Sequence, residues 1–171
     1  MGGEISIGSK VGQGTTVRLL FPPGRPGERP EVAPSEPAAA PRARVLVVDD
    51  EVMVGRSIER ALGAFHEVVS VTSAREAERR LDAGERFEVI LCDVMMPETT
   101  GIEFFERLRR SRPALAGRVV FITGGAFTKG AAEFLKGLEN PCLEKPFDER
   151  RLLAAVRAVV DETQGKLSLA S

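Results

Sequence analysis

The sequence predicts an α/β fold for most of this chain, a parallel sheet with helices on both faces. Three observations carry that prediction. Between residues 43 and 162, five short apolar runs alternate strictly with five stretches of helical periodicity, the pattern that builds parallel sheets. The central run is apolar at nearly every position, as in a strand covered on both faces. Charged and hydroxyl residues follow the runs, at the carboxyl ends where open sheets form their sites.

The elements follow in order. RVLVV (44–48) is the first strand, and Asp50 is placed to cap a helix carrying Val54, Ile58, Ala61 and Leu62 at three- and four-residue spacing. HEVVSV (66–71) is the second strand, and Ser73 caps a helix with Ala77 and Leu81 inward, ending near Gly84. FEVILC (87–92) is the third strand; after a loop over 93–100, GIEFFERLRR forms a helix with Ile102, Phe105 and Leu108 on one side. RVVFIT (118–123) is the fourth strand, with a helix from Thr128 to Leu138, and CLEK (142–145) is the fifth. Asp148 caps a last helix with Leu152, Leu153, Val156, Val159 and Val160 inward.

Before this body, seven of the 11 prolines fall between Pro22 and Pro41. Residues 22–42 have no apolar periodicity and are expected as an extended, semi-rigid linker. Residues 1–21 read as two strands around a glycine turn, with Ile5 and Ile7, then Val17, Leu19 and Phe21, in alternation. Residues 163–171 are expected as a tail. The charge balance, 24 basic against 25 acidic residues, excludes a basic nucleic-acid surface. Aromatic residues are 5% of the chain, all of them Phe, which supplies the usual base-stacking platform of a single-strand binder poorly. No apolar run reaches the ~18 residues of a membrane span, so no membrane contact is expected. Two cysteines make no disulfide framework and point to a reducing cytoplasm; Cys92 and Cys142 fall on the third and fifth strands with the fourth between them, so no disulfide is expected. His66, the sole histidine, is expected at the surface, at the start of the second strand.

The residues at the strand ends suggest the chemistry. Asp49 and Asp50 follow the first strand, Asp93 the third, Thr123 ends the fourth, and Lys145 ends the fifth before Pro146. Each alone has an ordinary reading as a cap, a turn residue or a solvated charge. Together, three carboxylates at one sheet end call for a cation, and Mg2+ suits a small carboxylate set that leaves room for water. Such a cluster supports phosphoryl transfer onto a carboxylate, in which positioning and charge neutralisation do most of the work.

The stretches VLVVDDE, LCDVMMPETTG, VVFITGG and EKPF, in this order and spacing, resemble a bacterial response-regulator receiver domain of two-component signalling over residues 43–162, about 70% of the chain. The resemblance implies a five-stranded, doubly wound, flavodoxin-like sheet of strand order 2-1-3-4-5 with five helices. It implies that Asp93 is the phosphoacceptor and that Asp50, Asp93 and the main-chain carbonyl of Met95 hold Mg2+ directly, with Asp49 acting mainly through water. Thr123 would be the switch hydroxyl and Lys145 the reporter of phosphorylation, with a cis Lys145–Pro146 bond and Gly101 as the turn glycine before the third helix. The family often has an aromatic residue three positions before the lysine; here Cys142 stands there.

Residues 1–21 resemble the closing segment of the ATP-binding domain of sensor histidine kinases, with Gly12, Gly14 and Thr15 in its last glycine box. The earlier boxes of that domain are absent, so no ATP binding or autophosphorylation is expected. The implied parent is a hybrid histidine kinase, with Met1 an introduced or misassigned start. The implied partners are a histidine kinase phosphodonor domain, in cis or in trans, and a histidine phosphotransfer protein. This chain is then not an enzyme but a phosphoacceptor with slow self-dephosphorylation. Two other readings compete. One is a non-phosphorylated interaction module, against which the complete set of site residues argues. The other is a hydrolase with an aspartyl-phosphate intermediate, which needs an Asp where Met95 stands.

Overall fold

The computed structural model describes residues 4–10, 12, 14–20, 42–125 and 129–168. They fall in two compact units, 1–40 and 41–171. In the first, β1 (Glu4–Lys10) and β2 (Gly14–Leu20) form an antiparallel hairpin. Gly12 and Gly14 adopt the left-handed φ values of 78° and 90° that a tight turn requires and glycine tolerates. Ile5 pairs with Leu19 and Ile7 with Val17, so one face carries an apolar stripe, and every strand residue is exposed. The proline-rich stretch and Phe21 lie outside the described residues, apart from Arg42.

The second unit contains β3 (Arg44–Val48), α1 (Val52–Leu62), β4 (Glu67–Val71), α2 (Ala74–Asp82), β5 (Val89–Asp93) and α3 (Gly101–Ser111). It continues with α4 (Pro113–Ala116), β6 (Val119–Thr123), α5 (Lys129–Lys136), β7 (Cys142–Glu144) and α6 (Glu149–Ser168). The sheet is wholly parallel, in the order β4-β3-β5-β6-β7. This is the expected 2-1-3-4-5 order with the crossing after the second strand. β5 and β6 are buried at every position, as their unbroken apolar runs require.

Two cores lie on opposite sides of the sheet. Leu46, Val48, Ile90 and Phe121 face Ala77, Leu81, Phe104, Phe105 and Leu108 of α2 and α3. Val45, Val47, Leu91 and Ile122 face Ile58, Leu62, Leu152 and Val156 of α1 and α6. Each aliphatic side chain removed from water contributes about 1.5–3 kcal/mol, so the alternation along each strand holds both layers of helix in place. The Phe105 ring meets Phe121 edge-on at 5.2 Å and Phe134 at 6.1 Å.

The helix starts depart from expectation in instructive ways. Asp50 does not cap α1; Glu51 takes the cap position without a side-chain bond, and its carbonyl receives the Val54 and Gly55 amides. Ser73 and Asp148 cap as expected, accepting from the amides of Glu76 and Arg151. Thr100 and Glu103 form a reciprocal capping box at α3, and T-x-x-E before an apolar stripe is its sequence signature. The single turn α4 is a sixth helix beyond the five expected, and Pro113 at its first position is its sequence signal. The last helix runs to Ser168, through much of the stretch expected as a tail. His66 is buried, not at the surface, because its ring accepts the Ala43 amide at the start of β3. The Lys145–Pro146 bond is cis, and both cysteines are free thiols, Cys92 buried and Cys142 exposed.

Candidate functional site

The register puts the acidic residues side by side. Val48 pairs with Cys92, so the next residues along, Asp49 and Asp93, end adjacent strands at the same level. Asp93 is in turn level with Ile122, one residue before Thr123. The Asp49 amide donates to the Val71 carbonyl and the Val94 amide to the Ile122 carbonyl, so backbone bonds hold the rim in place. Asp49, Asp93 and Thr123 are buried, and Asp50 is half-buried.

Carboxylate oxygens of Asp49, Asp50 and Asp93 all lie within 4.8 Å of one another. Lys145 Nζ is 2.9 Å from Asp49 Oδ2, 3.4 Å from Asp93 Oδ2 and 3.6 Å from Glu51 Oε1. Its own amide donates to the Thr123 carbonyl at 2.6 Å, which sets the lysine at the end of β7. Glu51 was not singled out from the sequence, although the run of three acidic residues pointed to it. The second oxygens of Asp49 and Asp93 receive backbone amides, from Glu51 at 2.9 Å and Met95 at 3.5 Å.

Burial pushes the Asp93 carboxyl above its ordinary range; the Lys145 charge opposes this, and the Asp49 charge reinforces it. For Lys145, burial works against the ammonium, but hydrogen bonds and charges from Asp49 and Asp93 outweigh it and raise the pKa. A buried carboxylate set with one ammonium is short of positive charge. All-oxygen donors of this kind are hard ligands that fit Mg2+ and not a soft metal.

Gly101 has a steric reason to be glycine. A Cβ there would collide with the Asp93 carbonyl oxygen and stand 3.0 Å from Cys92 Sγ. The first turn of α3 thus packs directly behind Asp93, and the Gly101 amide donates to the Val94 carbonyl at 3.1 Å. In the same loop Glu98 takes a left-handed φ of 63°. Cys142, in place of the common aromatic, is exposed on β7; burial of its thiol raises the pKa, while the Thr123 hydroxyl pulls it the other way. The Met95 side chain, two residues past Asp93, is exposed beside the cluster.

Comparison with known proteins agrees with this geometry. The sequence profile described as "Response regulator receiver domain" matches residues 45–157. Sensor kinase CckA of Brucella abortus is 29% identical over 174 residues, covering 94% of this chain and 18% of that protein. Transcriptional regulatory protein TcrA of Mycobacterium tuberculosis is 36% identical over 118 residues, 68% of this chain and 45% of its own length. The chain therefore spans less than half of either relative. Among solved structures, a CheY-like receiver domain protein from Methanospirillum hungatei superposes with a TM-score of 0.65 at 25% identity, covering 74% of this chain and 99% of that one. Chemotaxis protein CheY4 of Vibrio cholerae gives 0.60 at 30% identity, covering 70% of this chain and 99% of that one. The profile spans well over half of the residues and takes in the whole acidic rim, and the chain belongs to the response regulator receiver family.

Proposed function

We propose that Asp93 accepts a phosphoryl group from a phosphohistidine. The observation that carries this reading is a buried carboxylate bonded to Lys145 within an acidic cluster at the carboxyl end of a parallel sheet. An Asp93 oxygen attacks phosphorus, the P–N bond to the donor imidazole breaks, and the electron pair leaves with that ring. Lys145 holds a phosphoryl oxygen and Thr123 donates to another, once the transferred group is in place. Asp50, Asp93 and the Met95 carbonyl would hold Mg2+, with Asp49 acting through water. When bound, Mg2+ supplies charge neutralisation at the phosphoryl oxygens.

The similarity to a protein named a sensor kinase over 94% of this chain supports a hybrid kinase as the parent. In that reading residues 1–21 are the closing segment of its ATP-binding domain, residues 22–42 the linker, and 43–162 the receiver. The phosphodonor is a histidine kinase domain, in cis or in trans. The phosphoryl group then passes to a histidine phosphotransfer protein or drives a conformational change, in the cytoplasm where such kinases act. The chain itself is not an enzyme; it holds an acyl phosphate that decays slowly.

Incubation with acetyl phosphate and Mg2+ is expected to add one phosphate, lost with EDTA and absent in Asp93→Asn, as read by intact mass. An unchanged adduct in Asp93→Asn would overturn the assignment.

A further inference from the structure

At the opposite end of the sheet from the rim, His66 is buried in the turn between α1 and β4. Its Nδ1 accepts the Ala43 amide at 3.3 Å, and the Ala43 carbonyl accepts the Glu67 amide at 3.0 Å. The imidazole thus acts as one more rung of the β3–β4 ladder, in the place of a backbone carbonyl. Because Nδ1 accepts, the proton sits on Nε2, which has no hydrogen-bond partner among the described residues. Ala43 is the first buried residue after the proline-rich stretch, and Arg42 before it reaches the Ala64 carbonyl of the same turn at 3.5 Å.

We infer that His66 is an acid-sensitive latch holding the start of the receiver unit against the α1–β4 turn. This is independent of the phosphoacceptor reading. Protonation would convert Nδ1 into a donor facing the Ala43 N–H, so the rung would become a contact between two donors. Among the described residues, the charge that most affects the ring is itself positive. Arg157 of α6 adds positive charge and, after burial, is the second cause lowering the His66 pKa. From the β3 side Arg42 is also cationic, and from β4 Glu67 is committed to Arg44 at 2.7 Å. From α1, the Leu62 carbonyl is taken by the amides of Phe65 and His66. Protonation would therefore release Arg42 and Ala43, while β3 from Val45 onward stays paired through its backbone.

The test uses the full chain, in which a single histidine gives a single titrating imidazole signal in NMR. The signal is expected to titrate below the ordinary imidazole value of about 6.5. Amide exchange at Ala43, corrected for intrinsic pH dependence, is expected to rise at least tenfold between about pH 7.5 and about pH 5. Val45 should stay protected over the same range. His66→Asn keeps an acceptor near Nδ1 and cannot titrate, so its Ala43 protection should be flat with pH. A midpoint at or above the ordinary value, or unchanged Ala43 protection after the ring has titrated, would overturn the latch. So would equal loss at Ala43 and Val45, which would report global unfolding. If His66→Asn does not fold, the wild-type titration and exchange decide the matter.

Discussion

At the lower end of the sheet, Arg44 lies 2.7 Å from Glu67 and 2.9 Å from Glu85, with its guanidinium 4.7 Å from the Phe87 ring centre. Arg80 joins the same network through Glu85 at 3.2 Å and Glu76 at 3.4 Å. At the upper rim, Asp49, Asp50 and Asp93 cluster together, and the Lys145 ammonium lies against Asp49, Glu51 and Asp93. Below, signs alternate and water shares the load, so each pair contributes little and costs little. Above, like charges are drawn together and partly buried, an arrangement that opposes folding unless a cation and a ligand complete it. One sheet thus carries an end where charges alternate in sign and an end where carboxylates crowd around Lys145.

The largest effect at the rim is expected from Gly101→Ala. Helix propensity alone predicts a gain of about 1 kcal/mol for alanine. The new Cβ, however, would meet the Asp93 carbonyl and Cys92 Sγ, and overpacking of this kind costs about 3 kcal/mol. The net expectation is a loss of about 2 kcal/mol in urea unfolding. A gain would show that α3 does not depend on close approach to Asp93.

Next comes Met95→Asn. Hydrolysis of the acyl phosphate needs a water in line with phosphorus; in the receiver family the side chains two residues past the phosphoacceptor and two past the switch hydroxyl flank that path, and the residues here, Met95 and Gly125, offer no polar group to orient it. Gly125 leaves room and Met95 hinders approach, so the two act in opposite senses. The missing polar group should dominate, and the amide should speed decay roughly tenfold, about 1.4 kcal/mol of barrier. Decay rates after donor removal are the measurement, and equal rates would clear Met95 of that role.

Asp93→Asn should also stabilise the apo protein, by roughly 1 kcal/mol. The Asp93 pKa is raised in the fold, so folding holds the proton more tightly than the unfolded chain does. Ionisation therefore costs stability as pH rises through and beyond the ordinary carboxyl range. The amide removes it. Mg2+ should narrow the difference by stabilising only the wild type. Equal stability of the two proteins without Mg2+ would mean that Lys145 already offsets the charge.

The rim was legible because its residues sit where strand runs stop: Asp49 after Val48, Asp93 after Cys92, and Lys145 at the end of the short CLEK run. Period and position sufficed, without knowledge of packing. The burial of His66 was not legible. It follows from the Ala43 amide arriving from 23 residues earlier, a pairing that only the sheet register creates. The Asp50 cap failed for a related reason. The neighbouring carboxylate of Asp49 takes the Glu51 amide while Asp50 joins the acidic cluster, so the demands of the site overrode local capping preference. The steric need for glycine at 101 also required the fold, since the atoms it avoids belong to β5.

The smallest effect, and the sharpest contrast, is Glu67→Gln at the lower end. It is the same carboxylate-to-amide change proposed for Asp93, with the opposite sign. Glu67 is 64% exposed and its Arg44 partner 31%, so water screens the pair. Arg44 also keeps Glu85 and the Phe87 ring when Glu67 is neutralised. The loss should therefore be about 0.5 kcal/mol, and it should shrink further as salt is raised to about 1 M, where the screening length is near 3 Å. Urea unfolding at low and high salt measures it. A gain in stability would place the lower end in the same like-charged regime as the rim. A loss above about 2 kcal/mol that persists in high salt would mean that the network behaves as a buried one, and the contrast between the two ends would then fail from the other side.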